Sequence, residues 1–218
     1  MNTFATGVNM TRVNGVDLKD DGDMVVLSYT RNGSFEPETF AFLETLEPEG
    51  TFSDIGAYTG LYGIWAAKRG YKVQMFEPNP PVYERMLYNM FDNNVIGNCY
   101  NVALSDNSTH LGFYTNPKTP LSSAGSLITD EKKTQQYTVS VYPYNYFATG
   151  DESAIKIDVE GGELNVLKGM DSTLMFEKPV LIIEVLDREK ENEVVAFLKP
   201  YGYNSLGLFD ERNIILGV

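Results

Sequence analysis

The 218-residue sequence has little of several things, and each scarcity excludes something. It contains one cysteine, Cys99, so neither an internal disulfide framework nor a cysteine-rich zinc site can form. It contains one histidine, His110, so any metal site has to rest mainly on oxygen ligands. Bases are few: 17 Lys+Arg stand against 30 Asp+Glu, for a formal charge of −13. That balance argues against nucleic acid as a partner, because phosphate affinity comes from clustered cations that release counterions. No apolar run approaches the about 20 residues a membrane helix needs. The opening MNTFATGVNMTRV has no basic start leading into an apolar stretch. The expectation is a soluble, cytoplasmic, acidic protein without membrane insertion. Its composition, 43% hydrophobic and 22% charged, is that of a folded chain.

Two regions differ in pattern. Residues 1–50 carry nine acids and three bases. In them Val13–Leu18 and Met24–Tyr29 are β-prone runs around the turn-rich Lys19–Asp23, which predicts a hairpin. Phe40, Leu43 and Leu46 follow Glu-Pro-Glu at threefold spacing, which predicts a short helix. This front segment is either a solvated appendage or a lid over a site. Residues 51–218 alternate strands and helices: strands at Thr51–Ile55, Lys72–Phe76, Cys99–Leu104, Ala154–Asp158 and Val180–Val185. Helices are expected at Leu61–Arg69, Pro80–Phe91, Glu163–Lys168 and Glu189–Leu198. The continuous apolar runs at 154–158 and 180–185 suit central parallel strands covered on both faces. Tyr203–Leu208 and Asn213–Leu216 are joined too tightly for anything but antiparallel pairing. Residues 116–136 have loop composition. The sum is an open α/β sheet with a terminal antiparallel hairpin.

Ligands of such sheets bind outside the carboxyl ends of the strands. Asp54-Ile-Gly56-Ala57-Tyr58-Thr59-Gly60 falls at the first such end. Tyr58 replaces the glycine that would admit a pyrophosphate, and no Gly-Lys-Ser/Thr phosphate loop follows. The turn therefore suits a ligand without phosphate, and S-adenosylmethionine is one, its amino acid end meeting backbone amides and Asp54. Glu77, with Pro78 after it, ends the second strand, where an acid accepts from ribose hydroxyls. Asp158, Glu160 and Glu163 crowd the end of a later strand. Adjacent carboxylates raise at least one pKa, one way to prepare a base, although Glu163 also suits the first turn of a helix.

Together DIGAYTG, FEPNP, NVALSD (residues 101–106), GSL (125–127) and KIDVEGGELNVLKGM (156–170) resemble the FkbM-type methyltransferases over roughly residues 50–185. The resemblance implies a Rossmann-like class I fold with a seven-stranded, mostly parallel sheet, here preceded by the hairpin-and-helix extension. It implies S-adenosylmethionine as cofactor, S-adenosylhomocysteine as product, and a hydroxyl acceptor on a sugar, glycolipid or small metabolite. Asp54, Gly56, Ala57, Tyr58, Thr59 and Gly60 would line the methionine end, Glu77 and Pro78 the ribose. Ala103 and Leu104 would lie near adenine, and Asp158 would face the methyl-transfer site. The family commonly has Asn at position 58 and Leu-Asp at 144–145, where this chain has Tyr58 and Tyr144-Asn145. Asp158 and Glu160 are the candidates for the catalytic base, with Glu184 a third. The same acids could instead hold Mg²⁺, a reading not favoured. A non-catalytic cofactor-binding module and nitrogen methylation are the alternatives, but Asp158-Val-Glu-Gly does not match an Asn/Asp-Pro-Pro-Tyr motif. His110 is expected at the surface and Trp65 in the core. Cys99 should be an inert buried thiol. The aromatic cluster of Tyr137, Tyr142, Tyr144, Tyr146 and Phe147 is either a strand face on the core or an acceptor platform.

Overall fold

The computed structural model describes residues 9–20, 34–116, 118, 121, 125–128 and 134–218. A seven-stranded sheet organises the chain, in the order β11-β12-β10-β9-β3-β4-β5. Its strands are β3 (Thr51–Ile55), β4 (Lys72–Phe76), β5 (Asn98–Tyr100), β9 (Glu152–Ile157), β10 (Val180–Glu184), β11 (Asn204–Phe209) and β12 (Asn213–Gly217). Every pairing is parallel except those of β12, which runs antiparallel to both β10 and β11. The expected mostly parallel α/β sheet with a closing antiparallel hairpin is the fold observed.

Side-chain alternation sends successive residues to opposite faces. Phe52, Ala154, Ile182 and Ile215 face one side and pack under α1 (Pro37–Leu43), α2 (Leu61–Arg69) and α3 (Pro80–Asp92). Ile155, Ile157, Leu181 and Ile183 face the other, under α4 (Glu163–Lys168), α5 (Asp171–Phe176) and α6 (Arg188–Leu198). Trp65 is buried in the first layer. Lys156 shares the parity of Ala154, so its side chain enters that layer although it carries a charge.

The sequence places the front hairpin wrongly. Its strands are β1 (Asn9–Val13) and β2 (Val16–Asp20), joined by Asn14-Gly15 at φ 47° and 81°. Asn-Gly is the pair that favours the twist-matched two-residue turn, so the reversal forms inside the run read as one strand. Met24–Tyr29 lies outside the described residues. Val13, Val16 and Leu18 are buried in the same core as α2. The exposed edge of β2 is covered by side chains of α3: Asp17 N donates to Asn93 Oδ1 (3.0 Å) and Lys19 N to Asn89 Oδ1 (2.9 Å). These amides stand in for a neighbouring strand.

Other differences lie beyond β4. Cys99–Leu104 is not one strand: β5 ends at Tyr100, and β6 (Ala103–Leu104) joins a separate three-stranded sheet. Asn101 makes the break, its amide donating to the carbonyls of Glu77 (2.8 Å) and Pro78 (3.1 Å). The smaller sheet is completed by β7 (Thr109–Thr115) and β8 (Thr134–Tyr142), so the stretch expected to be loop up to 136 already pairs from Thr134. His110 lies on β7 rather than in a turn, and it is exposed. Cys99 is half-buried rather than buried, and desolvation pushes its thiol up to about 11. Helix α5 was not anticipated. Among the described residues no helix is long and apolar enough to cross a membrane.

Asp210, in the turn between β11 and β12, fastens the front segment over the sheet. Its carboxylate accepts from the backbone of Glu38 (3.2 Å) and Thr39 (2.8 Å), and its own N–H donates to Glu38 Oε2 (3.0 Å). A side chain from 170 residues away thus serves as the cap of α1, whose own N-cap residue, Glu36, makes no side-chain cap bond. Loss of such a cap costs about 0.5–2 kcal/mol. Asp210→Ala is expected to lower unfolding stability by this amount in urea titration, and Asp210→Asn by less, since it keeps an acceptor.

Candidate active site

A cavity of about 980 Å³ opens over the carboxyl ends of β3, β4, β9 and β10. Asp54 enters it from β3, almost wholly buried, with Oδ2 accepting from Gly63 N in the first turn of α2 (2.9 Å). Burial raises its pKa to about 7, against the pull of the Gly63 amide and Lys156. Glu77 stands beyond the end of β4, its carboxylate held from both sides: Tyr58 N donates to Oε2 (2.9 Å) and Asn79 N to Oε1 (2.8 Å). Desolvation raises it also to about 7. Each carboxylate oxygen has two lone pairs, so both acids retain capacity for a ligand's donors.

The turn between them is shaped by backbone requirements. Gly56 has φ 80°, and a Cβ there would fall 1.7 Å from the Asp158 carbonyl oxygen, so β3 and β9 can approach only at glycine. Gly60 caps α2 at φ 83° and does not line the cavity; a Cβ there would meet Met86. Tyr58 has φ 51°, a conformation that asparagine tolerates better than tyrosine. Its hydroxyl donates to the carbonyl of Leu121 (3.0 Å) across the cavity mouth. Ala57, Thr59, Pro78, Ala103 and Leu104 also lie on the walls.

On the same cavity Asp158, Glu160 and Glu184 converge, with one oxygen of each within 4.8 Å of the others. They are the acidic groups among the described residues close enough to share a cation. Protein cations already stand against two of them: Lys156 Nζ is 3.3 Å from Asp158, and Arg212 is 3.3 Å from Glu184. Desolvation, with Asp158 as charged neighbour, raises Glu184 to about 8. Glu163 is not in this group. It accepts from Gly161 N (2.9 Å) and Val159 N (3.3 Å) at the start of α4, so the helix explains it.

Sequence reasoning missed four cavity residues, Lys156, Tyr62, Glu36 and Arg212. Lys156 is 1% exposed and reaches the cavity from below. Tyr62 donates its hydroxyl to Glu36 Oε2, and both line the walls. A lysine inside an apolar strand run was a visible signal; Glu36 and Arg212 carried none, since only the packing of α1 and the β11–β12 turn brings them here. Tyr144 is fully buried, bonded to Ser53 Oγ (2.8 Å), and Asn145 bonds Asp171 (2.6 Å), so neither lines the cavity. Of the aromatic cluster, Tyr137 and Tyr142 lie on β8, Tyr144 is core, Phe147 packs beside it and Tyr146 is exposed, and none lines this cavity.

The buried acids carry a stability consequence whose sign is fixed. Asp54 rises from 3.8 and Glu77 from 4.5, both to about 7, so the folded chain holds protons that the unfolded chain releases. Their favourable contribution is present below the unfolded pKa values and is lost as pH rises through about 7. In thermal melts without ligand, Asp54→Asn and Glu77→Gln should melt above wild type at pH of about 8, and the gain should shrink toward about pH 5. No gain at the higher pH would show that these carboxyls are not desolvated.

The family model described as a methyltransferase FkbM domain matches residues 54–205. A solved methyltransferase FkbM from Methylobacillus flagellatus KT aligns with TM-score 0.56 at 20% identity, covering 78% of this chain and 44% of that one. A tRNA (uracil-54, C5)-methyltransferase from Pyrococcus abyssi, solved with S-adenosyl-L-homocysteine, aligns at 0.51 and 14% identity, covering 96% and 43%. An rRNA methylase from Streptococcus thermophilus aligns at 0.50 and 12% identity, covering 80% and 90%. At these identities the likeness is one of fold, and the chain spans less than half the length of the first two. No curated protein matches it. With the family model matched across more than half of its length, the chain belongs to the FkbM methyltransferase family.

Proposed function

We propose that this chain transfers a methyl group from S-adenosylmethionine to a hydroxyl of a sugar, glycolipid or other small acceptor. One observation carries the reading: a single cavity is lined both by two desolvated acids suited to a nucleoside amino acid, Asp54 and Glu77, and by a carboxylate trio. Its volume of about 980 Å³ is at the upper end of small-molecule pockets, which leaves space beside a nucleoside for a second reactant.

The donor set fits this cofactor. Asp54 has one oxygen bonded to Gly63 N and another available to an ammonium group; Glu77 is oriented by two backbone amides toward a diol. Bound there, S-adenosylmethionine supplies a methyl group on a positively charged sulfur and leaves as the neutral S-adenosylhomocysteine. The chain's part is alignment, which can account for much of a displacement's acceleration. Asp158, its backbone N–H tied to the Ile55 carbonyl (2.9 Å), is the acid placed to take the acceptor's proton, and Glu160 is the second candidate.

The acceptor's class follows from the walls. Carboxylates predominate on them, and Lys156 and Arg212 are the cationic side chains among the lining residues. A phosphate-rich acceptor would be repelled, which supports a neutral or cationic hydroxyl compound over the RNA substrates named for two structural neighbours.

Isothermal titration with S-adenosylhomocysteine tests the cofactor, and its release during incubation with a panel of hydroxyl acceptors tests turnover. Because Asp54 and Glu77 must ionise to serve the ligand, affinity should increase as pH rises through about 7, with proton release seen as a buffer-dependent heat. Asp54→Ala should abolish binding. Asp158→Asn should leave affinity within a few-fold while lowering turnover by about 10²–10⁴. Tight binding without product across the panel would favour the non-catalytic module.

A further inference from the structure

Lys156 is the one cavity residue whose burial demands an explanation that cofactor binding does not supply. It lies on β9 directly across from Asp54 on β3, and two residues before Asp158. Its ammonium lies 3.3 Å from Asp158 Oδ2 and 5.5 Å from the centre of the Tyr62 ring. Tyr62 in turn donates to Glu36, from the segment preceding α1. An apolar side chain would fill this place in the layer beside Ala154 without the cost of desolvating an ammonium. The charge must therefore answer something, and what it meets is carboxylate on every side.

We propose that Lys156 is the positioning residue of the methyl-transfer site: its ammonium fixes where the Asp158 carboxylate stands on the cavity wall. The groups facing this pair come from the neighbouring elements: Asp54 on β3, Glu77 after β4, Tyr62 on α2, Glu36 before α1 and Glu163 at the start of α4. Glu184 on β10 follows, with Arg212 behind it, then Glu160 after β9. Burial alone would lower the lysine's pKa, but Asp158, Glu36, Glu184 and Asp54 together outweigh it and raise the value. The ammonium is thus a permanent charge that offsets an acid-rich wall. Its ion pair is with Asp158, so its effect reaches the chemistry through that carboxylate.

The inference rests on the proposed methyl transfer, and a binding measurement separates the two. S-adenosylmethionine carries a positive sulfur and S-adenosylhomocysteine does not, so their affinity ratio reports the charge of the carboxylates near the sulfur. Both compounds are titrated into the full chain at a single pH. The wild type is expected to prefer the charged ligand. In Lys156→Met, with Asp158 no longer held in place, that preference should fall by about fivefold or more. Lys156→Arg, which keeps the cation, should stay near wild type. A merely structural lysine would weaken both ligands alike, and a preference left unchanged or increased overturns the assignment while leaving the proposed function intact. Should Lys156→Met fail to fold, Asp158→Asn decides: most of the preference should vanish with S-adenosylhomocysteine affinity retained, and an undiminished preference would overturn it. If the wild type binds neither compound, the proposed function falls and this inference with it.

Discussion

Lys156 carries its ammonium into the interior with 1% of its surface exposed, and an uncompensated charge there would cost several kcal/mol. What makes the position tolerable is the field of Asp158, Glu36, Glu184 and Asp54 around it. Those acids need the lysine equally. They come from four separate stretches of chain, all directed to the carboxyl edge of one sheet, where parallel strands end together and leave a crevice. Desolvation pushes Asp54, Glu77 and Glu184 to about 7 or 8, so the edge is held near the point where protons move. A surface chosen for stability alone would not collect so many buried acids. The arrangement has the character of a site whose chemistry is maintained at the expense of the apo fold.

The front segment belongs to the same economy of charge. Asp210 caps α1 from the opposite end of the chain, and that cap sets Glu36 against Tyr62 beside the cavity. Glu36 is left-handed at φ 43°, a conformation a glutamate does not choose by itself. The hairpin β1–β2 is held by asparagine side chains of α3 and by burial of Val13, Val16 and Leu18. The acidity seen in the first 50 residues therefore contributes directly to the cavity wall. Tyr58 is a second local departure: the turn demands a left-handed residue, and the phenol that fills it reaches Leu121. Where the resembling family commonly carries asparagine, this chain accepts some backbone strain and gains a hydrogen bond across the mouth.

Strands and helices of the main sheet were legible because their signals are local. Continuous apolar runs marked β9 and β10, and Gly70 stopped α2 where expected. Errors arose where a short-range device competed with the pattern. Asn14-Gly15 turned the chain inside a run read as strand, and Asn101 diverted it between β5 and β6. The pairing of β7 with β8 escaped notice because its two strands are separated by a long stretch of loop composition. Asp54, Glu77 and Asp158 could be named from the strand ends they occupy. Gly60, named with them, has the left-handed backbone of a helix start and is not among the cavity's lining residues.

The sequence by itself determined the α/β alternation, the family and the acids of the cavity, since each depends on residues a few positions apart. Only the tertiary structure decided which charges meet. Glu36, Tyr62, Lys156, Glu184 and Arg212 lie on five different elements or turns, and nothing in their spacing foretells contact. Desolvation is a property of the assembled interior rather than of a residue, so the same carboxylates that are ordinary acids along the chain become proton-exchanging groups once packed.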